Sequence, residues 1–530
     1  MDTIFSAILG ELTSRSLSFF IDRCSSKPLL PQPPAVSKEE KIKRLERMLL
    51  RLAATVEEAE GRRVANHAML RQVNILRQDM YKGYYLLDTF RFQKAHEENV
   101  TNKDNNEVSY SLALSKFNST KRARVPSGSR SHGDKEELEK MVDNLEITMA
   151  DMVEFVLLLN NYPSIQRQPY NTYMFMDKCV FGRQMEVEHI INFLLQPEPP
   201  NTSNVDHNLG VLPIIGPSKV GKSTLVEHVC YDERVRNHFS HIIFLTDNDF
   251  REDKSLLILC DSGVIKHKTS SSSSTASSGA ERLLVVAELT GDVSDDEWRR
   301  MYSSSRSRIS AGSKIIITSQ SEKIAKLGTT QPLRLKFLSQ EAYWYFFKVL
   351  ALGSSDPEEH PEVASLSTAM FNGYFDHKLY KSFIGPFIDL SNMARLIQAS
   401  VYDGSYLSLR ERLRGKETKS HLLLKRDPGD SGVESKCVFI PKTDGTVHYY
   451  CEIYNHCRVG RAHEEEDEAH KIDMQDLLSG RAAPNGKFDL VLWRSHLPPY
   501  YSYIYSSEIH EYKSAAIFRM GIRRKRKTLL

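Results

Sequence analysis

The fold is decided by one stretch of sequence, VLPIIGPSKVGKSTLVEHV, which covers residues 211–229. Its first five residues form a short apolar run, which is typical of a buried strand, and Leu225–Val229 begins a helical pattern. Between the two, Gly216–Ser223 fits G-x-x-x-x-G-K-[ST], a pattern in which backbone amides surround phosphate groups. A strand, such a loop and a helix in direct succession predict an α/β domain with a nucleotide site.

Each residue type in this loop has a chemical reason. The glycines allow successive N–H groups to converge on phosphate oxygens, and the dipole of the following helix favours an anion. Lys222 is predicted to reach the β- and γ-phosphates, and the Ser223 hydroxyl to ligate nucleotide-bound Mg²⁺. The alternative is a glycine-rich turn that binds nothing, although the pattern arises by chance in such a chain only about once in fifty. The predicted nucleotide-binding residues of the loop are Gly216, Gly221, Lys222, Ser223 and Thr224.

Three further apolar runs, residues 241–245, 283–286 and 314–317, predict the rest of the sheet. Because they alternate with helical segments, we expect a parallel sheet with helices on both faces. The Ser-rich residues 270–278 cannot bury apolar area, and they predict a surface insertion.

Nucleotide hydrolysis would require an acidic residue at the end of a second strand, where it holds Mg²⁺. The run 283–286 is followed by Ala287 and Glu288, so Glu288 is the candidate catalytic acid, with a side chain long enough to loosen the geometry. The acidic residues Asp295–Glu297 come too late and are typical of a helix N-terminus. We therefore expect weak ATP hydrolysis at most.

The N-terminal part has the apolar spacing of amphipathic helices. Residues 4–21 carry a first apolar stripe, and Ser37, with Glu40 three residues later, predicts the N-cap of a long helix. The helical spacing continues over residues 69–87. It resumes near Asp134, after a polar segment (residues 99–133) that is predicted to be a disordered loop. Together these helices predict a four-helix bundle.

The predicted fold is multi-domain: an N-terminal four-helix bundle, an α/β parallel sheet of the P-loop NTPase type, a short helical region, and a mixed α/β or β-rich C-terminal region of short strands. At 530 residues the chain is long enough for two to four domains. The predicted boundaries are residues 1–162 for the bundle, 163–178 for a linker, 179–350 for the nucleotide-binding domain, 351–425 for the helical region and 426–530 for the C-terminal region.

Charge and composition exclude several classes of protein. The 71 Lys and Arg residues nearly balance the 68 Asp and Glu residues, which argues against a nucleic-acid-binding protein. No apolar run approaches the about 20 residues of a membrane span. The seven cysteines have no regular spacing and indicate a reducing compartment, so we expect a cytoplasmic protein. The basic run Arg523–Lys527 has two interpretations, as a signal for a nuclear location or as a tail that keeps the protein in solution. The Cys and His residues between 437 and 457 have two interpretations, as ligands of a zinc ion or as ordinary strand and loop residues.

Several motifs resemble, in the same order along the chain, those of plant disease-resistance proteins of the coiled-coil NB-ARC class. Met1–Asp22 is similar to the first helix of the family's four-helix, Rx-type domain, and Val180–Arg183 to the motif before the phosphate-binding loop. Glu297–Trp298 matches an acid–Trp pair of the family, and Gly312–Thr318 matches its sensor strand. The resemblance covers roughly residues 1–350.

The resemblance implies a switch that binds ADP or ATP. Val180, Gly182 and Arg183 would then belong to the nucleotide site, on the adenine side. Exchange of ADP for ATP would release a conformation that oligomerises and signals. The resemblance also implies that the N-terminal bundle contacts other proteins in a plant defence response, such as other resistance proteins or pathogen effectors.

The sequence departs from the family at functional positions. Ala287 and Glu288 stand in place of paired aspartates, and Gln320 in place of the sensor arginine. The glycine-leucine-proline-leucine block is not recognisable in residues 371–387, and neither a Met-His-Asp motif nor a leucine-rich repeat is visible. We therefore predict a degenerate relative that binds nucleotide, hydrolyses it weakly and acts as a partner, modulator or decoy of full-length relatives. The alternatives are a working ATPase switch, in which Glu288 holds Mg²⁺, and a protein-interaction adaptor with a vestigial loop.

Overall fold

A computed structural model describes residues 37–101 except 65, residues 130–163, 180–197 and 209–246, parts of 282–302, residues 312–353, 361–376 and 385–402, and parts of 425–511. The chain divides into two compact units. The described part of the first unit is helical, and the second unit contains two β-sheets with their helices.

The first unit consists mainly of α1 (Lys38–Glu60), α2 (His67–Thr101) and α3 (Arg130–Leu159). Ser37 is the N-cap of α1, and its side-chain oxygen accepts a hydrogen bond from the Glu40 N–H at 3.2 Å, as the sequence predicts. The apolar stripes of all three helices are buried. They include Leu45, Leu49, Leu52, Val73, Leu76, Met80, Leu138, Val142 and Leu145.

The loop predicted over residues 99–133 is shorter at both ends. Helix α2 continues to Thr101, and α3 already begins at Arg130. The flanking residues include Lys, Glu, Gln and Ala, whose helix propensity allows a helix to continue beyond its last large apolar position. The predicted first helix, residues 4–21, lies outside the described residues, so the fourth helix of the bundle stays a prediction.

The predicted parallel sheet is confirmed. Its strands occur in the order β2-β3-β4-β1-β5, and all neighbouring pairs are parallel. Because strands that are covered on both faces are apolar throughout, the sequence shows them as continuous apolar runs. The strands are β1 (Gly210–Ile215), β2 (His241–Thr246), β3 (Leu283–Glu288), β4 (Lys314–Ser319) and β5 (Leu333–Arg334).

Both faces of this sheet are buried, and each strand contributes to both, since alternate residues point to opposite sides. Leu212 of β1 belongs to the core on one side, and Val211 belongs to the core on the other. The second core includes Trp298 and residues of the 3-10 helix Glu322–Leu327. The helices on the first side are α4 (Gln184–Leu195), α5 (Lys222–Cys230) and α6 (Glu233–His238).

Three helices pack together through aromatic rings. Helix α7 (Gln340–Leu352) lies almost entirely within the predicted nucleotide-binding range, residues 179–350, whereas α8 (Pro361–Asp376) and α9 (Pro386–Tyr402) lie within the predicted helical region, residues 351–425. Trp344 of α7 and Phe371 of α8 meet edge to face with ring centroids 5.1 Å apart. Phe387, in the first turn of α9, packs edge to face against Tyr343 and Phe346 of α7, each at 5.3 Å. Such pairs add about 0.5–1.5 kcal/mol each beyond the buried area.

The C-terminal region contains a six-stranded mixed sheet in the order β6-β7-β8-β11-β10-β9, which confirms the β-rich prediction. Two strands are longer than expected: β8 has 13 residues and β11 has 10, because the two pair with each other almost from end to end. The elements are β6 (Lys425–Arg426), β7 (Lys436–Pro441), β8 (Val447–Val459), β9 (Lys471–Asp473), α10 (Met474–Ser479), β10 (Lys487–Arg494) and β11 (Ser502–Glu511).

None of the helices in the described ranges has the length and apolarity that a bilayer crossing requires. Within the same ranges, no group of His, Cys, Asp and Glu side chains is large enough to hold a metal ion by itself. The basic run Arg523–Lys527 lies outside the described residues.

Candidate functional site

The loop Gly216–Ser223 connects β1 to α5 and is held by close backbone contacts. The Gly216 N–H donates to the Ser319 carbonyl of β4 at 3.2 Å. A Cβ on Gly216 would lie 2.7 Å from the Leu335 carbonyl oxygen, so a larger residue would push the backbone apart. Gly221 has a left-handed φ of 92° with open space around its Cβ position. Glycine is therefore favoured there by the backbone conformation and not by a lack of space. The loop thus leaves open space at the N-terminus of α5.

Lys222 is the first residue of α5, and its ammonium group lies inside the loop. Its Nζ donates to the carbonyl oxygens of Gly216 at 2.8 Å and Pro217 at 3.0 Å. Partial burial lowers the pKa of Lys222, and the negative charge of Glu288 opposes that shift. A partly desolvated ammonium group that is already turned into the loop is a strong partner for phosphate oxygens. Ser223 and Thr224 follow in the first turn of α5 and are half-buried.

Glu288 is the last residue of β3 and is aligned with Thr318 of β4, the strand between β3 and β1. Its Oε1 atom is buried without a hydrogen-bond partner. A buried carboxylate oxygen without a donor is costly unless a cation compensates it. Lys222 is a cation whose charge interacts with Glu288.

Two sequence expectations about the acids are refined. Ala287 and Glu288 are the final two residues of β3, not the residues after it, because the ladder with β4 continues to Glu288. Of the acidic run Asp295–Glu297, the structure describes Asp296, which is helical. The Trp298 N–H donates to the Ser294 carbonyl at 3.0 Å, so this helical turn begins at Ser294. That position is six residues after Glu288, the last residue of β3.

The segment Val180–Arg183 is linked to the loop through the residues that follow β5. Leu335 approaches Gly216 of the loop, and Leu338, three residues later, packs against Gly182. A Cβ on Gly182 would lie 3.2 Å from a methyl group of Leu338, and its φ of 70° also favours glycine. The structure therefore connects the predicted adenine-side residues to the predicted phosphate loop through a single short segment.

Arg183 has a structural role that the sequence does not predict. Its guanidinium group pairs with Glu186 at 3.0 Å and donates to the Lys336 carbonyl, and the residue is only 5% exposed. These contacts occupy the side chain within the protein. Arg183 thus fixes the segment before the loop.

The sequence also does not predict a contact between the loop and α9. Gly385, directly before α9, has a φ of 99°, and a Cβ there would lie 2.7 Å from the Cβ of Lys219. Lys219 itself has a positive φ of 63°, which is strained for a lysine. A local signal exists, since Gly385-Pro386 is typical of a helix start, but it does not reveal what that start packs against.

A network of ion pairs fixes α6 to α4 beside α5. Arg234 donates to both carboxylate oxygens of Glu188, at 3.1 and 2.9 Å, and to both of Asp232, at 3.0 and 2.9 Å. Asp232 is also the N-cap of α6. Burial alone would raise the pKa of Asp232, but the hydrogen bonds and the charge of Arg234 lower it below its ordinary value.

We expect Asp232→Asn to destabilise the protein at neutral pH, and less so as the pH falls. Because the pKa is lower in the folded state, the carboxylate contributes stability above its unfolded-state pKa of about 4, and this is lost as the pH falls through the folded-state pKa. Asparagine can still cap α6, so the substitution removes mainly the charge. Thermal unfolding of both proteins as a function of pH measures the difference. A destabilisation that is equal at all pH values would contradict it.

Comparison with known proteins supplies independent information. Residues 183–356 match the NB-ARC domain. The disease resistance protein RGA2 of Solanum bulbocastanum is 29% identical over 196 residues, which cover 35% of this chain and 20% of that protein. The disease resistance RPP13-like protein 1 of Arabidopsis thaliana is 24% identical over 350 residues, which cover 62% of this chain and 31% of that protein. The chain spans less than a third of the length of these curated relatives.

Similarity to solved structures is weak. Saccharomyces cerevisiae RIF2 aligns with 47% of this chain and 98% of its own chain, with a TM-score of 0.26 and 12% identity. At this score the likeness carries no argument.

Proposed function

Because the chain contains an NB-ARC domain and is related to plant disease resistance proteins, we propose that it is a defence-signalling protein whose loop Gly216–Ser223 binds ADP or ATP. The observation that carries this proposal is the loop itself. A buried strand leads into a turn bounded by glycines, and the first residue of the following helix, Lys222, holds its ammonium group inside that turn.

The residues present fit a nucleoside diphosphate or triphosphate. The N-terminus of α5 favours an anion, and Lys222 would exchange its two carbonyl acceptors for phosphate oxygens. Ser223 would ligate Mg²⁺, with the unpartnered Oε1 of Glu288 as a second oxygen on that side. Bound Mg²⁺ neutralises phosphate charge. We assign the adenine side to Val180 and Gly182, which Arg183 holds in place.

The same site favours weak hydrolysis. Ala287, fully buried, offers no side-chain oxygen, and Glu288 stands alone where the resemblance leads us to expect two carboxylates. Gln320, exposed after β4, carries no positive charge that could stabilise a γ-phosphate in the transition state. We therefore propose a relative that binds nucleotide with little turnover and acts as a partner, modulator or decoy of other resistance proteins in the cytoplasm.

The first unit offers surface for protein partners. Leu50 of α1 and Ile147 of α3 are 70% and 63% exposed, and Leu157 and Leu158 of α3 are about half exposed. Single exposed apolar residues are ordinary, but several on one helix favour a contact with another protein. We propose that this helical unit contacts other resistance proteins or pathogen effectors.

Thermal unfolding with ADP and with Mg²⁺–ATP, alongside phosphate release, tests the nucleotide proposal. A ligand at a hundredfold excess over its Kd stabilises the folded state by about 2.7 kcal/mol. We expect the melting temperature to rise with both nucleotides and phosphate release to stay near the background. If neither nucleotide raises the melting temperature, the chain is an adaptor with a vestigial loop. Brisk phosphate release that Lys222→Ala abolishes would instead identify a working ATPase switch.

A further inference from the structure

Helix α9 contacts both the phosphate loop and the C-terminal sheet. At its start, Gly385 lies so close to Lys219 of the loop that a Cβ on Gly385 would be 2.7 Å from the Lys219 Cβ. Farther along the helix, the Asn392 side-chain Nδ2 donates to the Leu492 carbonyl of β10 at 3.1 Å, in a buried position. Only seven residues separate these contacts, about 10 Å along a helix.

The hydrogen bond from Asn392 meets the sheet at an irregular position. In the pairing of β10 with β11, the register shifts between Val491 and Trp493, so Leu492 is an extra residue without a counterpart. A bulge leaves the extra residue outside the regular ladder. The Asn392 amide supplies a donor to this carbonyl from another element. Loss of the bond would therefore remove a donor from a buried carbonyl.

The start of α9 is rigidly tied to the rest of the helical region. The Tyr374 hydroxyl donates to Asp389 Oδ2 at 2.8 Å in the buried interior, and Phe387 packs against Tyr343 and Phe346. Helix α9 also packs against α10, which contacts β10. A displacement at Gly385 consequently moves the helix as a body.

From these contacts we propose that α9 couples the phosphate loop to the C-terminal sheet, so that nucleotide binding and docking of the sheet favour each other. This inference rests on the proposed nucleotide site. Gly385 supports Lys219 in its strained backbone conformation, so a firmly held α9 keeps the loop organised for phosphate, and organisation before binding increases affinity. By linkage, a sheet that favours nucleotide binding is itself stabilised by the nucleotide, by the same factor.

Hydrogen exchange of the 530-residue chain, with and without ADP, tests the coupling. We expect ADP to slow amide exchange in β10 by at least threefold, and Asn392→Ala to raise the Kd for ADP by at least threefold. The matched control is Ser391→Ala, since the buried Ser391 hydroxyl bonds only within α9, to the Phe387 carbonyl at 2.7 Å, among the bonds described for it. This control should retain the wild-type Kd.

A second variant acts at the other end of the helix. Gly385→Ala forces Lys219 and α9 apart, so exchange in β10 should become faster even without nucleotide. Gly353→Ala is its control, because Gly353 also has a positive φ, 61°, but no atom lies within 4 Å of its Cβ position.

The possible results separate the two proposals. If ADP binds, but neither its addition nor Gly385→Ala alters exchange in β10 and Asn392→Ala keeps the wild-type Kd, the coupling is overturned and the nucleotide site stands. If ADP does not bind at all, both proposals fail.

Discussion

Lys222→Ala is expected to reduce by about half or more the rise in melting temperature that ADP, at a hundredfold excess over its Kd, produces in the wild-type chain. The substitution removes the ammonium group that lies within 3.0 Å of two loop carbonyls, whereas Gly216 and Gly221 still shape the loop. A hydrogen bond to a charged group contributes about 1.5–3 kcal/mol, so the loss of even one weakens ADP binding at least about tenfold.

Without nucleotide, the Lys222→Ala protein should melt slightly below the wild type. The two lost hydrogen bonds are offset because an ammonium group that burial desolvates is removed with them, but Glu288 also loses the positive charge that interacts with it. Lys323→Ala is the matched control, since Lys323 is exposed on the 3-10 helix and should be dispensable for the ADP response. An undiminished response in Lys222→Ala would place the nucleotide elsewhere.

Phe371→Ala is expected to have the largest effect on stability. Its ring is fully buried between α7 and α8, with centroids 5.1 Å from Trp344 and 5.8 Å from Phe347. Truncation of a buried Phe leaves a cavity and costs about 3–5 kcal/mol. Urea unfolding followed by tryptophan fluorescence measures the loss, and hydrogen exchange should locate it in α7–α9.

The control for this substitution is Phe337→Ala. Phe337 is 38% exposed, so truncation removes less buried area and creates no closed cavity. We expect a loss well below that of Phe371→Ala. Equal losses in the two variants would show that the aromatic cluster of α7 and α8 does not hold the helical region together.

The sequence predicts the parallel sheet and the phosphate loop because both are local features. A strand covered on two faces appears as a continuous apolar run, as at residues 314–317, and the loop pattern is complete within Gly216–Ser223. The N-cap at Ser37 is local in the same sense, and the structure confirms it. The isolated acid Glu288 could also be found, because it follows from its position at the end of an apolar run.

Other features depend on contacts between distant residues, which a single sequence does not reveal. Gly385 meets Lys219 across more than 160 positions of chain, and Asn392 meets Leu492 across 100. The long pairing of β8 with β11 is likewise nonlocal, and neither strand is apolar throughout. The structural role of Arg183 could not be predicted from the sequence for the same reason, since its acceptor, the Lys336 carbonyl, belongs to the segment after β5.

We propose that the loop Gly216–Ser223 binds the phosphates of an adenine nucleotide. Equilibrium dialysis of the 530-residue chain against radiolabelled ADP tests it most directly. We expect saturable binding of one ADP per chain, displaced by unlabelled ATP and weakened at least about tenfold in Lys222→Ala. Absence of saturable binding, or equal binding by the wild type and Lys222→Ala, would contradict it.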